Sequence, residues 1–136
     1  YLITSQDISF DAKIIDYWEH IVRGEFKANK ISGVHFYNSE FIRIIKIFNQ
    51  NDKGIKLAKV EVLLEGNEDW IAKNETTTLF PLNWSTQQLL VELDHAYKRK
   101  IFQKGTENKF IGKTSAGIEV VFIIVGEKVK TAFPIL

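Results

Sequence analysis

Apolar residues recur at intervals of three and four from Ser9 to Gly24: Phe10, Ile14, Ile15, Tyr17, Trp18, Ile21 and Val22. That spacing predicts an amphipathic helix, with Ser9 or Asp11 as N-cap and Gly24 as its stop. The polar stretch from Glu25 to Glu40, which includes Gly33, reads mostly as loop. Phe41 to Phe48 and Ile55 to Leu64 are rich in Ile, Val, Leu and Phe, and Asn49-Gln50-Asn51-Asp52-Lys53-Gly54 separates them. This is a hairpin signal, and the polar residues mixed into the second run predict a sheet with one wet face. The clearest helix opens at Ser85, an N-cap with Gln88 three residues on and Trp84 placed as a hydrophobic staple. Leu89, Leu90, Leu93, Ala96, Tyr97 and Ile101 mark its apolar face. Lys98-Arg99-Lys100 sits where the helix dipole favours cations, and Gly105 is the predicted end. Lys109 to Lys113, Ile118 to Val125 and Val129 to Phe133 read as strands, the last two joined through Gly126-Glu127-Lys128. The expected class is α+β: an N-terminal helical region followed by antiparallel sheets with a helix packed against them.

The 136 residues contain no Pro/Gly/Ser-rich linker, no low-complexity tract and no repeat, so a single domain over 1–136 is expected. Hydrophobic residues make up 45% and charged residues 26%, which excludes disordered and collagen-like chains. The longest apolar run, Ile118 to Val125, is interrupted by Glu119 and falls far short of the ~20 residues of a membrane-spanning helix. With no cysteine, disulfides, thiolate catalysis and Cys-ligated zinc are ruled out. Methionine is absent even at position 1, so the chain is expected to be the C-terminal piece of a longer protein. A net charge of +1 lacks the basicity of a typical nucleic-acid-binding domain. Any polyanion would have to be met by local basic positions.

Three histidines are candidates for chemistry. His95 lies about 200° around the helix from Leu93, at ~100° per residue, and is expected to be a solvated surface side chain. His20 and His35 each stand near glycine, in His20-Ile21-Val22-Arg23-Gly24-Glu25 and Ser32-Gly33-Val34-His35-Phe36. Two such histidines can converge on one substrate as proton donor and acceptor, or be unrelated polar residues. They are also a conceivable pair of metal ligands, although no third ligand stands at recognisable spacing.

Two further segments are Trp70-Ile71-Ala72-Lys73-Asn74-Glu75-Thr76-Thr77-Thr78-Leu79-Phe80-Pro81, followed by Trp84-Ser85, and Val129-Lys130-Thr131-Ala132-Phe133-Pro134. Together with His20 and His35 they resemble the EndoU endoribonuclease family, in particular the toxin domains at the C-termini of contact-dependent inhibition and other polymorphic toxins. The shared pattern runs His-Ile-x-x-Gly-Glu, Gly-x-His, a lysine, then Thr-x-Phe-Pro-x-x-Trp-Ser. It closes with Gly-Ile, a strand and Thr-Ala-Tyr/Phe-Pro, here with Gly117-Ile118 in the penultimate slot. The resemblance extends from His20 to Pro134. The His-x-His-Gly loop of other bacterial EndoU branches is missing, which places the chain in a diverged branch.

The resemblance implies an EndoU-like nuclease fold and metal-independent RNA transesterification with no cofactor. By resemblance His35 is the general base, His20 the general acid and Lys73 the cation at the developing phosphorane charge, with the two histidine roles exchangeable. The products would be a 2′,3′-cyclic phosphate and a 5′-hydroxyl. Thr131 and Phe133 would meet the nucleoside, as would Thr77 or Thr78, the register of the triple threonine being open. Lys59 rivals Lys73, which is preferred because it immediately precedes the threonine run. Phe133 stands where the family often has tyrosine, keeping a stacking face and losing a hydrogen bond. A toxin of this kind implies RNA, with tRNA as the expected target, and a cognate immunity protein as partners. It would be secreted or delivered from the cell surface and act in the cytoplasm of a target bacterium. The competing readings are a non-catalytic RNA- or protein-binding module on the same fold, and a metal-dependent phosphodiesterase using His20 and His35.

Overall fold

A computed structural model of the protein describes residues 21, 25–27, 30–63 and 68–136, with 25–27 described by backbone alone. The helix expected over Ser9–Gly24 lies outside these residues except for Ile21, which is buried. The described chain is α+β and mostly antiparallel sheet, with one helix packed against strands. It divides into two compact units at Leu82 and Asn83.

The unit ending at Leu82 opens with a two-stranded ladder, β1 (Glu25–Lys27) and β2 (Lys30–Ser32), with Phe26 opposite Ile31. The expectation of loop here is therefore corrected. Ile31 is buried between exposed Lys30 and Ser32, an alternation too short to stand out in a polar stretch. Then come β3 (Ile42–Gln50), β4 (Lys56–Leu63), β5 (Trp70–Ala72) and β6 (Thr77–Leu79). β4 is central: β3 pairs along one edge, and β5 and β6 share the other in succession. Its Ala58, Val60 and Val62 are fully buried and alternate with half-buried Leu57, Lys59, Glu61 and Leu63, as a sheet with one wet face requires. The buried row joins Ile31, Val34, Phe41, Ile42 and Leu79 in one core. The hairpin turn is tighter than expected, because β3 runs on to Gln50. Asn51 Oδ1 accepts from the Lys53 and Ile55 amides at 3.1 and 2.9 Å, and Gly54 takes φ +89°.

In the unit Asn83–Ile135, α1 (Thr86–Lys98) begins where the capping signal places it, with Ser85 Oγ accepting from Gln88 N at 3.1 Å. Its buried face, Leu89, Leu90, Leu93, Ala96 and Tyr97, packs on a four-stranded sheet. That sheet has the order β10 (Lys128–Pro134), β9 (Glu119–Val125), β8 (Lys109–Lys113), β7 (Ile101–Phe102). Tyr97 meets Phe122 edge-on at 5.6 Å. The approach is so close that a Cβ on Gly112 would lie 2.0 Å from the Ala96 carbonyl oxygen. The helix ends at Lys98, short of the expected Gly105. Ile101 belongs to β7 opposite Ile111 and is 70% exposed, so it is not part of the helix's apolar face. Arg99 leaves helical geometry with its amide still bonded to Ala96 O, and ladder pairing with β8 captures Ile101 and Phe102. Ser85→Ala should cost about 1 kcal/mol, read as a lower denaturant midpoint at unchanged slope.

Candidate active site

His35 follows β2 through an unusual turn in which Gly33 and Val34 take φ +83° and +65°. For glycine this is routine, but for a β-branched residue it costs on the order of 1–3 kcal/mol. The turn is over-determined by its neighbours. Val34 is buried in the core, Lys73 Nζ donates to Gly33 O at 2.7 Å, and Thr77 Oγ1 donates to Val34 O at 2.8 Å. His35 itself is held at both backbone groups, its amide donating to Ile21 O at 2.6 Å and its carbonyl accepting from Phe80 N at 2.9 Å.

The imidazole is oriented as firmly as the backbone. His35 Nδ1 lies 2.7 Å from Thr78 O and 3.2 Å from Thr77 Oγ1, and the ring is buried. A carbonyl oxygen only accepts, so this network assigns the proton to Nδ1. Thr77 gives its own proton to Val34 O, so its oxygen faces Nδ1–H as a second acceptor. In the neutral ring Nε2 then carries the lone pair, the state required of a general base.

Lys73 comes from the point where β4 passes from β5 to β6. The Lys73 amide donates to Val60 O at 3.0 Å. Its side chain runs inward, is 7% exposed, and ends on the Gly33 carbonyl. Burial lowers its pKa from 10.5 to about 8, with Glu75 pulling the other way. It is thus a mostly charged ammonium at neutral pH in a desolvated place. Lys59, the rival lysine, reaches from the wet face of β4 to the carbonyls of Lys73 and Asn74. It braces the turn that carries Lys73.

His35, Lys73, Thr77 and Thr78 are thus brought together in one unit. Thr77 points into the buried face with its hydroxyl engaged on the His35 turn, while Thr78 contributes its carbonyl to the ring. His20 lies outside the described residues, adjacent in sequence to Ile21, whose carbonyl binds the His35 amide. Thr131 and Phe133 belong to the other unit, on one face of β10 opposite Ile123 and Val121 of β9. Thr131 Oγ1 is buried without a hydrogen-bond partner among the described residues. His95 is half-buried, not simply solvated, and its Nδ1 donates to Lys113 O at 3.1 Å, tying α1 to β8.

Sequence reasoning had Gly33 and Val34 only as neighbours of His35 in the Gly-x-His pattern, and passed over Glu92. The first two take part through backbone carbonyls and a strained conformation, which no side-chain motif announces. Glu92 is a buried carboxylate that accepts from Ser115 Oγ and Ala116 N in the β8–β9 turn.

The bacterial EndoU nuclease family matches residues 16–136. A Bacillus cereus protein named "Toxin" is 33% identical over 85 residues, which cover 62% of this chain and 15% of that protein. The chain thus spans a small part of that relative's length. No solved structure matches it. Since the family match takes in His20, the Gly33–His35 turn, Lys73, the threonine run and β10 together, the chain belongs to the bacterial EndoU nuclease family.

Proposed function

We propose that this domain is an endoribonuclease toxin that cuts RNA by attack of the 2′-hydroxyl on the adjacent phosphate, without a metal ion. The observation that carries the reading is the pairing of His35 and Lys73 on one strained turn. A base with its tautomer set by Thr78 O and a desolvated ammonium share the Gly33–Val34 anchor. His35 Nε2 takes the proton from the 2′-oxygen, which attacks phosphorus. The bond from phosphorus to the 5′-oxygen breaks, and His20 protonates that leaving oxygen. Lys73 stabilises the charge on the non-bridging oxygens. The two histidine roles are exchangeable in this scheme, and the products are a 2′,3′-cyclic phosphate and a 5′-hydroxyl. Thr77 positions the base, and Thr78 flanks it through its carbonyl. Thr131 reads the nucleoside beside the Phe133 ring.

The relative named "Toxin" supports a toxic role. The domain would be delivered into a target bacterium, as in contact-dependent inhibition, and cut tRNA in its cytoplasm. The producing cell would be protected by an immunity protein seated on the active site. The test is to incubate the purified domain with total RNA in excess chelator and map the cut ends by sequencing. Discrete cleavage in tRNA is expected. Binding without cleavage would favour a non-catalytic module, and loss of cleavage in chelator would favour a metal-dependent phosphodiesterase.

Base choice follows from Phe133. A ring that stacks without a hydroxyl accepts any base, at ~1–3 kcal/mol per stack. Phe133→Ala should therefore slow cleavage of every sequence, while Phe133→Tyr keeps the rate and sharpens preference among pyrimidines. Short RNAs differing only in the base 5′ to the cut read both effects. Unchanged rates for Phe133→Ala would remove β10 as the base platform.

A further inference from the structure

We propose that the wet face of the β3–β4 hairpin is an accessory track for the RNA strand, with Arg43 and Lys46 meeting phosphates and Phe48 offering a stacking ring. This rests on RNA being the substrate. The whole chain carries +1, yet residues 42–63 hold five basic side chains (Arg43, Lys46, Lys53, Lys56, Lys59) against Asp52 and Glu61. That is +3 on the hairpin and −2 on the remainder. Overall near-neutrality hides a local basic surface.

Its layout is costly for the free protein. Lys46 stands directly across from Lys59 in the ladder, a like-charge pair that destabilises a sheet. Among the described residues the one ion pair on this hairpin, Arg43 with Glu61, is long at 4.0 Å. The ladder also shifts register twice, between Ile44 and Lys46 and between Ile47 and Asn49. Such irregularities re-aim side chains. Ile45 and Phe48 fall at these shifts and are 55% and 51% exposed. Lys46 Nζ lies 5.1 Å from the centre of the Phe48 ring, and the Arg43 guanidinium sits 3.9 Å over half-buried Trp70. Cations beside an exposed ring on one strand are what a single-stranded nucleic acid requires: charge for its backbone and a flat face for a base. Lys59 also braces the backbone of the Lys73 turn, so the track ends beside that turn within the same unit.

The test uses Lys46→Glu and Phe48→Ala, neither of which touches His35 or Lys73. Each is assayed on a 30-nucleotide RNA and on a dinucleotide too short to reach the hairpin. For the long RNA, KM should rise about tenfold at unchanged kcat, the scale of one stacked base or phosphate contact. Lys46→Arg and Phe48→Trp should restore it, and dinucleotide cleavage should not change. Binding of the fluorescently labelled 30-mer, measured with the His35→Ala protein, should weaken in parallel, with a shallower salt dependence for Lys46→Glu. Equal KM and affinity in all variants would overturn the track. If wild type cuts neither substrate but the variants still bind RNA more weakly, the track stands and the endoribonuclease reading falls.

Discussion

His35→Ala is expected to slow RNA cleavage by ~10²–10⁴-fold, the usual contribution of a general acid or base. The ring is buried and its Nδ1–H satisfies Thr78 O, so the substitution also orphans a carbonyl, at a cost of ~1–3 kcal/mol of stability. The backbone of the turn should survive. The His35 amide and carbonyl, the Lys73 bond to Gly33 O and the Thr77 bond to Val34 O do not depend on the imidazole. His35→Asn separates the two effects, because its Nδ2 stands near the Nδ1 position and can still donate to the carbonyl but is no base. It should melt closer to wild type than His35→Ala and be equally slow. A folded His35→Ala that cuts RNA at the wild-type rate would remove His35 from the chemistry.

Lys73→Met should separate rate from stability in the opposite sense. Losing one preorganised cation at developing transition-state charge costs ~10²–10³ in kcat. Stability at pH 7, however, should change little, because relief from burying the charge offsets the loss of the Nζ bond to Gly33 O. In the unfolded chain Lys73 titrates near 10.5, and in the fold near 8. Both states are protonated at pH 7, so the fold bears the full penalty of burying the charge there, at most ~3 kcal/mol. Between pH 8 and 10.5 the unfolded state holds more protons than the folded one, so wild-type stability gains from this residue as pH rises through that window. Lys73→Met lacks that gain, and its stability relative to wild type should fall from pH 8 to pH 10. Activity follows the opposite course, since wild-type cleavage should fall as pH passes 8 and the ammonium is lost. Melting curves and cleavage rates from pH 6 to 10 read both. A Lys73→Met protein that is markedly less stable at pH 7 would make the lysine a structural strut.

What was legible in the sequence follows a physical divide. The capping signal at Ser85 and Gln88 and the alternation along β4 are local, and both stand in the fold as expected. The paired strands β1 and β2 and the short strands β5 and β6 have three residues each. They exist because partners distant in sequence complete their hydrogen bonds, and a period cannot be read from three positions. The same holds at Ile101, where pairing to Ile111 overrides a helical pattern that looked continuous from Leu89. At the site, the resemblance carried by the ordered motifs pointed to His35, Lys73 and the threonine run. The register of the threonines needed β6 in place on β4, with Thr77 opposite Ala58 and Thr78 opposite Leu57. The choice between Lys59 and Lys73 is equally non-local. One sits on the wet face of the sheet and reaches backbone carbonyls around Lys73, and the other is buried against Gly33.

The most direct test of the account is an oligonucleotide with one ribonucleotide at the cut position, prepared with either a 2′-hydroxyl or a 2′-O-methyl group. The purified domain in excess chelator should cut the hydroxyl form alone. Phosphorus NMR of the product should show a 2′,3′-cyclic phosphate at one end, and a 5′-hydroxyl should be found at the other. Cleavage of the 2′-O-methyl form, or a 5′-phosphate on the product, would mean that the nucleophile is water and that His35 does not act on the 2′-oxygen.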